Sequence, residues 1–154
     1  MRLTKQTNYA IRMMMYCDSN DGLSRVSAIA SFYDLSEQFL MKILQTLTKA
    51  GLVESVRGRN GGIKLAKESK DIGLGEIVRA TEDNFALAEC FEAGETVCPL
   101  VSSCGLNQAL GEALGAFFKV LDGYTLADLT NNERNLHILL QLDASKNIPL
   151  KANA

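Results

Sequence analysis

From Thr7 to Asp18 the chain is apolar almost all round, with Tyr9, Ala10, Ile11, Met13, Met14, Met15, Tyr16 and Cys17 leaving little polar face. That pattern predicts a buried helix, closed by Asp21-Gly22. Val26, Ile29, Ala30 and Phe32 return at helical spacing between Ser24 and Tyr33 and predict a second, shorter helix. After a tight connection at Asp34-Leu35, Ser36 is a candidate N-cap for a third helix reaching Ala50. Phe39, Leu40, Ile43, Leu44 and Leu47 form its expected inner stripe, and Gly51 supplies its stop. The runs 52–56 and 63–66 are β-prone, and the glycine-rich turn between them predicts a hairpin. Two short helices, a longer helix and a hairpin, in that order, describe a winged helix-turn-helix in a mainly α fold.

Leu74 to Glu82 reads as another short helix, whereas Asp83 to Ser103 holds no sustained period. A loop of that length inside a compact domain is usually functional or disordered. From Leu106 onward Ala109, Leu110, Ala113, Leu114, Phe117 and Leu121 make one continuous stripe, and Leu126 to Leu142 is helix-like again. The expected organisation is a winged helix-turn-helix over 1–82, a cysteine-bearing loop over 83–105, long helices over 106–142 and a flexible tail over 143–154. There is no internal repeat.

Composition narrows the function class. With 154 residues the chain makes one domain with a substantial core. No apolar run approaches the roughly 18 residues that span a membrane. The start, Met1-Arg2-Leu3-Thr4-Lys5, lacks the apolar stretch of a signal peptide, so the expectation is a cytoplasmic protein. Net charge is −2, but it is unevenly spread. Residues 1–70 hold 11 Lys+Arg against 6 Asp+Glu, net +5, and residues 71–154 hold 5 against 12, net −7. A basic half facing a polyanion, with the acidic half kept away, accounts for that split.

In a helix-turn-helix pair the second helix enters the major groove of double-stranded DNA with its N-terminal residues at the base edges. Here those are Ser36, Glu37, Gln38, Met41 and Lys42. Gln38 can pair with an adenine edge and Lys42 with guanine or phosphate, while Glu37 either accepts from cytosine or offsets the helix dipole. The alternative is that all five are solvated surface. In the wing, Arg57 and Arg59 flank a glycine, and Gly61-Gly62 permit close backbone approach to a narrow minor groove. Arg2, Thr4, Lys5 and Lys49 are further candidates for phosphate contacts, which position without reading sequence.

Cys90, Cys98 and Cys104 fall within fifteen residues, ahead of the long helix. In a reducing compartment clustered cysteines are more often metal ligands or redox centres than disulfides. Three thiolates on a loop suit an iron–sulfur cluster better than structural zinc, which favours CxxC pairs and four ligands. Scattered buried thiols are the competing reading. Cys17, on the buried first helix, reads as a core residue, and the lone His137 as a packed one. A thiol redox enzyme would need a CxxC or a thiol beside a base. Neither is evident, so a regulator is expected rather than an enzyme.

The segments Met1-Arg2-Leu3-Thr4, Tyr9-Ala10, Ala50-Gly51-Leu52-Val53-Glu54-Ser55-Val56-Arg57-Gly58 and Gly61-Gly62 resemble the Rrf family of iron–sulfur winged-helix repressors over residues 1 to about 142. The wing motif is quite specific to that family. Within it, Ala88-Glu89-Cys90-Phe91-Glu92, Cys98-Pro99-Leu100-Val101 and Ser103-Cys104-Gly105-Leu106-Asn107 look most like its rhizobial iron regulators. The resemblance implies that 83–105 is a cluster-binding loop in which Cys90, Cys98 and Cys104 hold a cluster, [4Fe-4S] with [2Fe-2S] as the alternative. It also implies a homodimer in which the helix after the last cysteine crosses its twin, on a pseudo-palindromic operator. The expected function is repression of iron-uptake and iron-homeostasis genes, the cluster reporting iron availability. Sensing of nitric oxide or redox stress, and a cluster-free thiol or zinc regulator, are the alternatives. Some members place a histidine three residues past the last cysteine, where this chain has Asn107, and others an aspartate on the partner's first helix, where it has Asn8. The fourth ligand is therefore unassigned.

Overall fold

The computed structural model describes residues 2–91, 98–100 and 103–131. Its helices are α1 (Lys5–Asp18), α2 (Val26–Tyr33), α3 (Glu37–Lys49), α4 (Leu74–Thr81), α5 (Gly105–Leu121) and α6 (Leu126–Thr130). Between α3 and α4 lies the hairpin of β1 (Val53–Val56) and β2 (Gly62–Leu65). The expected order of helix pair, third helix and wing is the order found. Among the described residues no helix is long and apolar enough to cross a membrane.

The ends of the elements follow from capping. α1 begins two residues before the apolar run because Thr4 caps it, its hydroxyl accepting from the Thr7 N–H at 3.2 Å. α2 starts at Val26 rather than Ser24 because the Ser24 backbone is committed to the wing, exchanging hydrogen bonds with Ile63 at 2.9 and 2.8 Å. Ser36 caps α3 as expected, accepting from Phe39 N at 3.3 Å. At the other end Gly51 adopts φ +70°, open to glycine without strain. Its N–H bonds the Thr48 carbonyl and the next N–H, of Leu52, bonds Leu47, both at 3.0 Å. These two bonds close the helix and aim the chain into β1.

The core is built from α1 to α4, the hairpin and α6. Met13, Met14, Ile29, Leu40, Ile43, Leu47, Leu52, Ile72, Ile77 and Leu126 are all fully buried. Cys17 is part of this core, and burial pushes its thiol pKa up to about 12. Phe39, expected on the inner stripe of α3, is only half-buried. It packs edge-on against Tyr9 at 5.9 Å, at the margin of the core.

β1 and β2 pair antiparallel from Val53↔Leu65 to Val56↔Gly62. The turn closes with the Gly61 N–H on the Gly58 carbonyl at 2.9 Å. A Cβ on Gly61 would collide with the Val56 carbonyl oxygen, so the glycine is needed for the wing to close. Gly62 is also close to the Ser24 carbonyl, which a Cβ would meet at 2.7 Å. The sequence suggested close approach to DNA for this pair; the approach found is to the chain's own backbone.

After α5 the chain is sewn back onto the reading head. Leu74 N bonds Tyr124 O and Leu126 N bonds Ile72 O, each at 2.8 Å. Thr125 and Asp128 form a reciprocal capping box for α6, which ends at Thr130. The expected continuation to Leu142, His137 and the 143–154 tail lie outside the described residues.

Candidate DNA-reading face and thiol centre

α3 turns Leu40, Ile43, Leu44 and Leu47 inward, which leaves Glu37, Gln38, Met41, Lys42 and Lys49 exposed, with Ser36 exposed at the cap. Gln38, Met41, Lys42 and Lys49 are separated by three, four or seven residues, so they share one face. Gln45 is exposed on that face too and was missed, although it stands seven residues after Gln38. Glu37 sits in the first turn and Lys49 in the last, each opposing the adjacent helix-dipole end. Beside α3, Arg57 and Arg59 are exposed in the wing turn. The wing stem is supported by a cross-strand Lys64–Glu54 pair at 3.3 Å.

The N-terminal candidates lie at the start of α1, where Gln6 bonds Thr46 of α3 at 3.4 Å. The Thr4 hydroxyl is occupied as the α1 cap, and its N–H donates to Glu82 Oε1 at 2.6 Å. Arg2 lines a cavity with Glu82, Phe85 and Phe117. Both therefore face the start of the cysteine-bearing loop. Lys5 and Asn8 are exposed on the first turn of α1.

None of the four cysteines is in a disulfide. Cys90 is half-buried in a 3₁₀ turn, Glu89–Phe91. Cys104 is the half-buried N-cap of α5. Between them Asn107, in the first turn of α5, donates its side-chain N–H to Cys90 Sγ at 3.2 Å. This bond brings two of the three thiols to one helix end, where backbone N–H groups favour negative charge. Cys98 is exposed ahead of a Pro99-Leu100 turn, which Ser103 N closes on the Leu100 carbonyl at 3.0 Å. Residues 92–97 and 101–102 of the loop lie outside the described residues.

These residues suit an iron–sulfur group by donor type. Two candidate sulfur donors, Cys90 and Cys104, stand at the positive end of a helix, and a third, Cys98, is exposed. Among the described residues no three His, Cys, Asp or Glu side chains already stand together as a metal site. The Asn107 contact was not legible in the sequence, since nothing in the spacing aims its amide at a sulfur seventeen residues earlier.

α5 has no buried residue along its seventeen positions. Leu110, Leu114, Phe117 and Leu121 are half-buried, while Leu106, Ala109, Ala113, Ala116 and Val120 are exposed, Leu106 and Val120 at 64% and 61%. The single stripe expected from the sequence thus divides in two. The exposed set repeats at three, four, three and four residues, the period of a coiled-coil seam.

A helix-turn-helix with a basic wing, joined to a thiol-bearing loop and a long exposed helix, defines a DNA-binding transcriptional regulator rather than an enzyme. Residues 3–132 match the Rrf2 family, described as an iron-dependent transcriptional regulator, and the chain belongs to that family. It is 60% identical over 144 residues to Protein aau3 of Rhizobium meliloti (strain 1021), covering 93% of this chain and 94% of that protein. It is 42% identical over 144 residues to the HTH-type transcriptional regulator NsrR of Bacillus subtilis (strain 168), covering 92% of this chain and 99% of the other. Among solved structures, T. potens IscR superposes with a TM-score of 0.65 at 28% identity, over 86% of this chain and 88% of that one.

Proposed function

We propose that this chain is a cytoplasmic homodimeric repressor whose DNA affinity is gated by an iron–sulfur cluster on Cys90, Cys98 and Cys104, and that it controls iron-uptake genes. The observation that carries the reading is the Asn107–Cys90 hydrogen bond at 3.2 Å, which gathers two candidate ligands at the head of α5. When bound, a [4Fe-4S] or [2Fe-2S] cluster supplies a centre whose stability depends on iron and oxidants. Asn107 serves it as a hydrogen-bond donor to a ligand sulfur, a better role for an amide than iron ligand.

The dimer forms by packing the exposed seam of α5 against its twin. Small residues at Ala109, Ala113 and Ala116 let the helices approach closely. Two reading heads then meet successive major grooves of a pseudo-palindromic operator, about 34–36 Å apart. Ser36, Glu37, Gln38, Met41, Lys42 and Gln45 face the bases, with Lys49, Arg57 and Arg59 on the backbone and in the minor groove. Gly61 and Gly62 shape the wing, and Arg2 and Thr4 hold the N-terminal arm against the loop.

Because metal binding is coupled to folding, loss of a cluster held by these cysteines would loosen the 83–105 loop. The loop is anchored near both ends of α5: Phe85 meets Phe118 edge-on at 4.8 Å, and Cys104 occupies the N-cap position. Loosening it changes how the heads are held and releases the promoter.

For Arg59→Ala the expectation is weaker operator binding and a shallower salt dependence, by about 0.9 in the log–log slope per lost phosphate contact. Titrations at several salt concentrations check this; an unchanged slope would remove Arg59 from the interface. A second reading is a nitric-oxide or redox-stress sensor on the same scaffold. It rests on the three-thiol donor set: with the fourth ligand unassigned, a cluster held there would have one position that a small molecule could take. Separate exposure of loaded protein to an iron chelator and to nitric oxide ranks the two by which one releases DNA at lower dose.

A further inference from the structure

One arginine, bonded to a carboxylate and laid over an aromatic ring, ties the far end of α5 to the reading head. Arg79, on α4, reaches the C-cap of α5 with both guanidinium nitrogens: Nη1 donates to Asp122 Oδ1 at 2.6 Å and Nη2 to Oδ2 at 2.7 Å. The same guanidinium lies 4.2 Å from the centre of the Phe118 ring, one turn earlier on α5. Such a two-point, stacked arrangement fixes direction as well as distance, which lysine cannot reproduce. The hydrogen bonds from Arg79 hold the Asp122 carboxyl below its ordinary pKa. Gly75 completes the arrangement. Any Cβ there would collide with Asp122 Oδ1 and come within 2.8 Å of Arg79 Nη1.

An exposed ion pair contributes little to stability, so this geometry invites a different role. α5 is about 25 Å long, and its contacts with α4 fall at its C-terminal end. A tilt of about 10° about that end carries the other by about 4 Å, comparable with the roughly 3.4 Å rise of one base pair. Small angular freedom here changes where two heads land relative to a shared seam.

We propose that Arg79, Asp122 and Gly75 form a latch that sets the angle between reading head and dimer helix, and so determines the operator half-site spacing the protein accepts. The inference rests on the α5-paired, DNA-reading dimer proposed above. Arg79 and Asp122 act as positioning residues that never touch a base.

The test begins with loaded, oxygen-protected protein and a random-sequence duplex DNA library. Wild type is expected to enrich paired half-sites of one spacing. The selected duplex and a copy with one base pair inserted at its centre are then titrated against wild type, Asp122→Asn, Arg79→Lys and Gly75→Ala. Wild type should lose roughly tenfold or more on the lengthened site, because one half-site forfeits its base contacts. The variants should lose about threefold or less on that site, with selected half-site sequences unchanged. Gly75→Ala guards against misfolding as the cause, since alanine strengthens α4 as a helix while displacing the latch. Circular dichroism and cluster absorbance confirm folded, loaded protein. A wild-type-sized spacing penalty in all three variants overturns the latch and leaves the DNA-reading proposal intact. Failure of wild type to enrich any site overturns the DNA-reading proposal, and the latch with it.

Discussion

Replacing any one of Cys90, Cys98 and Cys104 by alanine is expected to remove the visible absorbance of anaerobically prepared protein. Operator affinity should fall toward its non-specific level, on the order of a thousandfold or more. With three thiols and no fourth protein ligand assigned, loss of one leaves two sulfurs for a group that needs more. The reading head itself should survive. Its core comes from α1 to α4, the hairpin and α6, and contains none of the three. Far-ultraviolet circular dichroism and thermal unfolding of the head should therefore match wild type, while absorbance and operator binding vanish together. Full operator affinity in all three colourless variants would sink the gating proposal.

The opposite pattern is expected from Leu47→Ala. Leu47 is fully buried on the inner face of α3, and its carbonyl also closes the C-terminus of that helix. Truncating such a leucine costs about 2–5 kcal/mol, part of it from the cavity left behind. Against a total of about 5–15 kcal/mol, that is a large share. Denaturant unfolding should shift by this amount with little change in slope. DNA binding should decline only with the folded fraction, and the loop's cysteines should still load. An unfolding midpoint within error of wild type would show that α3 is not seated as described. Together the two substitutions separate loss of binding by unfolding from loss by cluster removal.

The reading head was legible because its cues are local. Ser36 before an amphipathic run, Gly51 after it and paired β-prone segments around Gly58 and Gly61 each act within a few residues. Their effects survive translation into structure almost unchanged. The boundaries that moved, at Thr4 and Ser24, did so because backbone groups had partners a sequence pattern does not reveal. Ser24 belongs to the wing through Ile63, thirty-nine residues away.

The thiol centre and the long helix were only partly legible, for the same reason at greater range. Cysteine spacing marked the candidate donors but not the Asn107 amide that draws Cys90 to the head of α5. Apolar periodicity marked α5, yet it merged a face packed on the chain itself with the exposed seam of Leu106, Ala109, Ala113, Ala116 and Val120. Separating these requires knowing where Phe85 and α4 lie. Arg79 and Asp122, forty-three residues apart, are ordinary surface charges in the sequence and acquire direction only when the fold stacks the guanidinium on Phe118.

The measurement closest to the centre of this account compares one preparation in two states. Protein purified without oxygen, assayed for iron and sulfide, is titrated with its selected operator before and after a chelator strips the metal. A coloured, iron- and sulfide-bearing dimer is expected to bind tightly, and the stripped protein to let go while its helices stay folded. A stripped, folded protein holding the operator as tightly as the loaded one would contradict it.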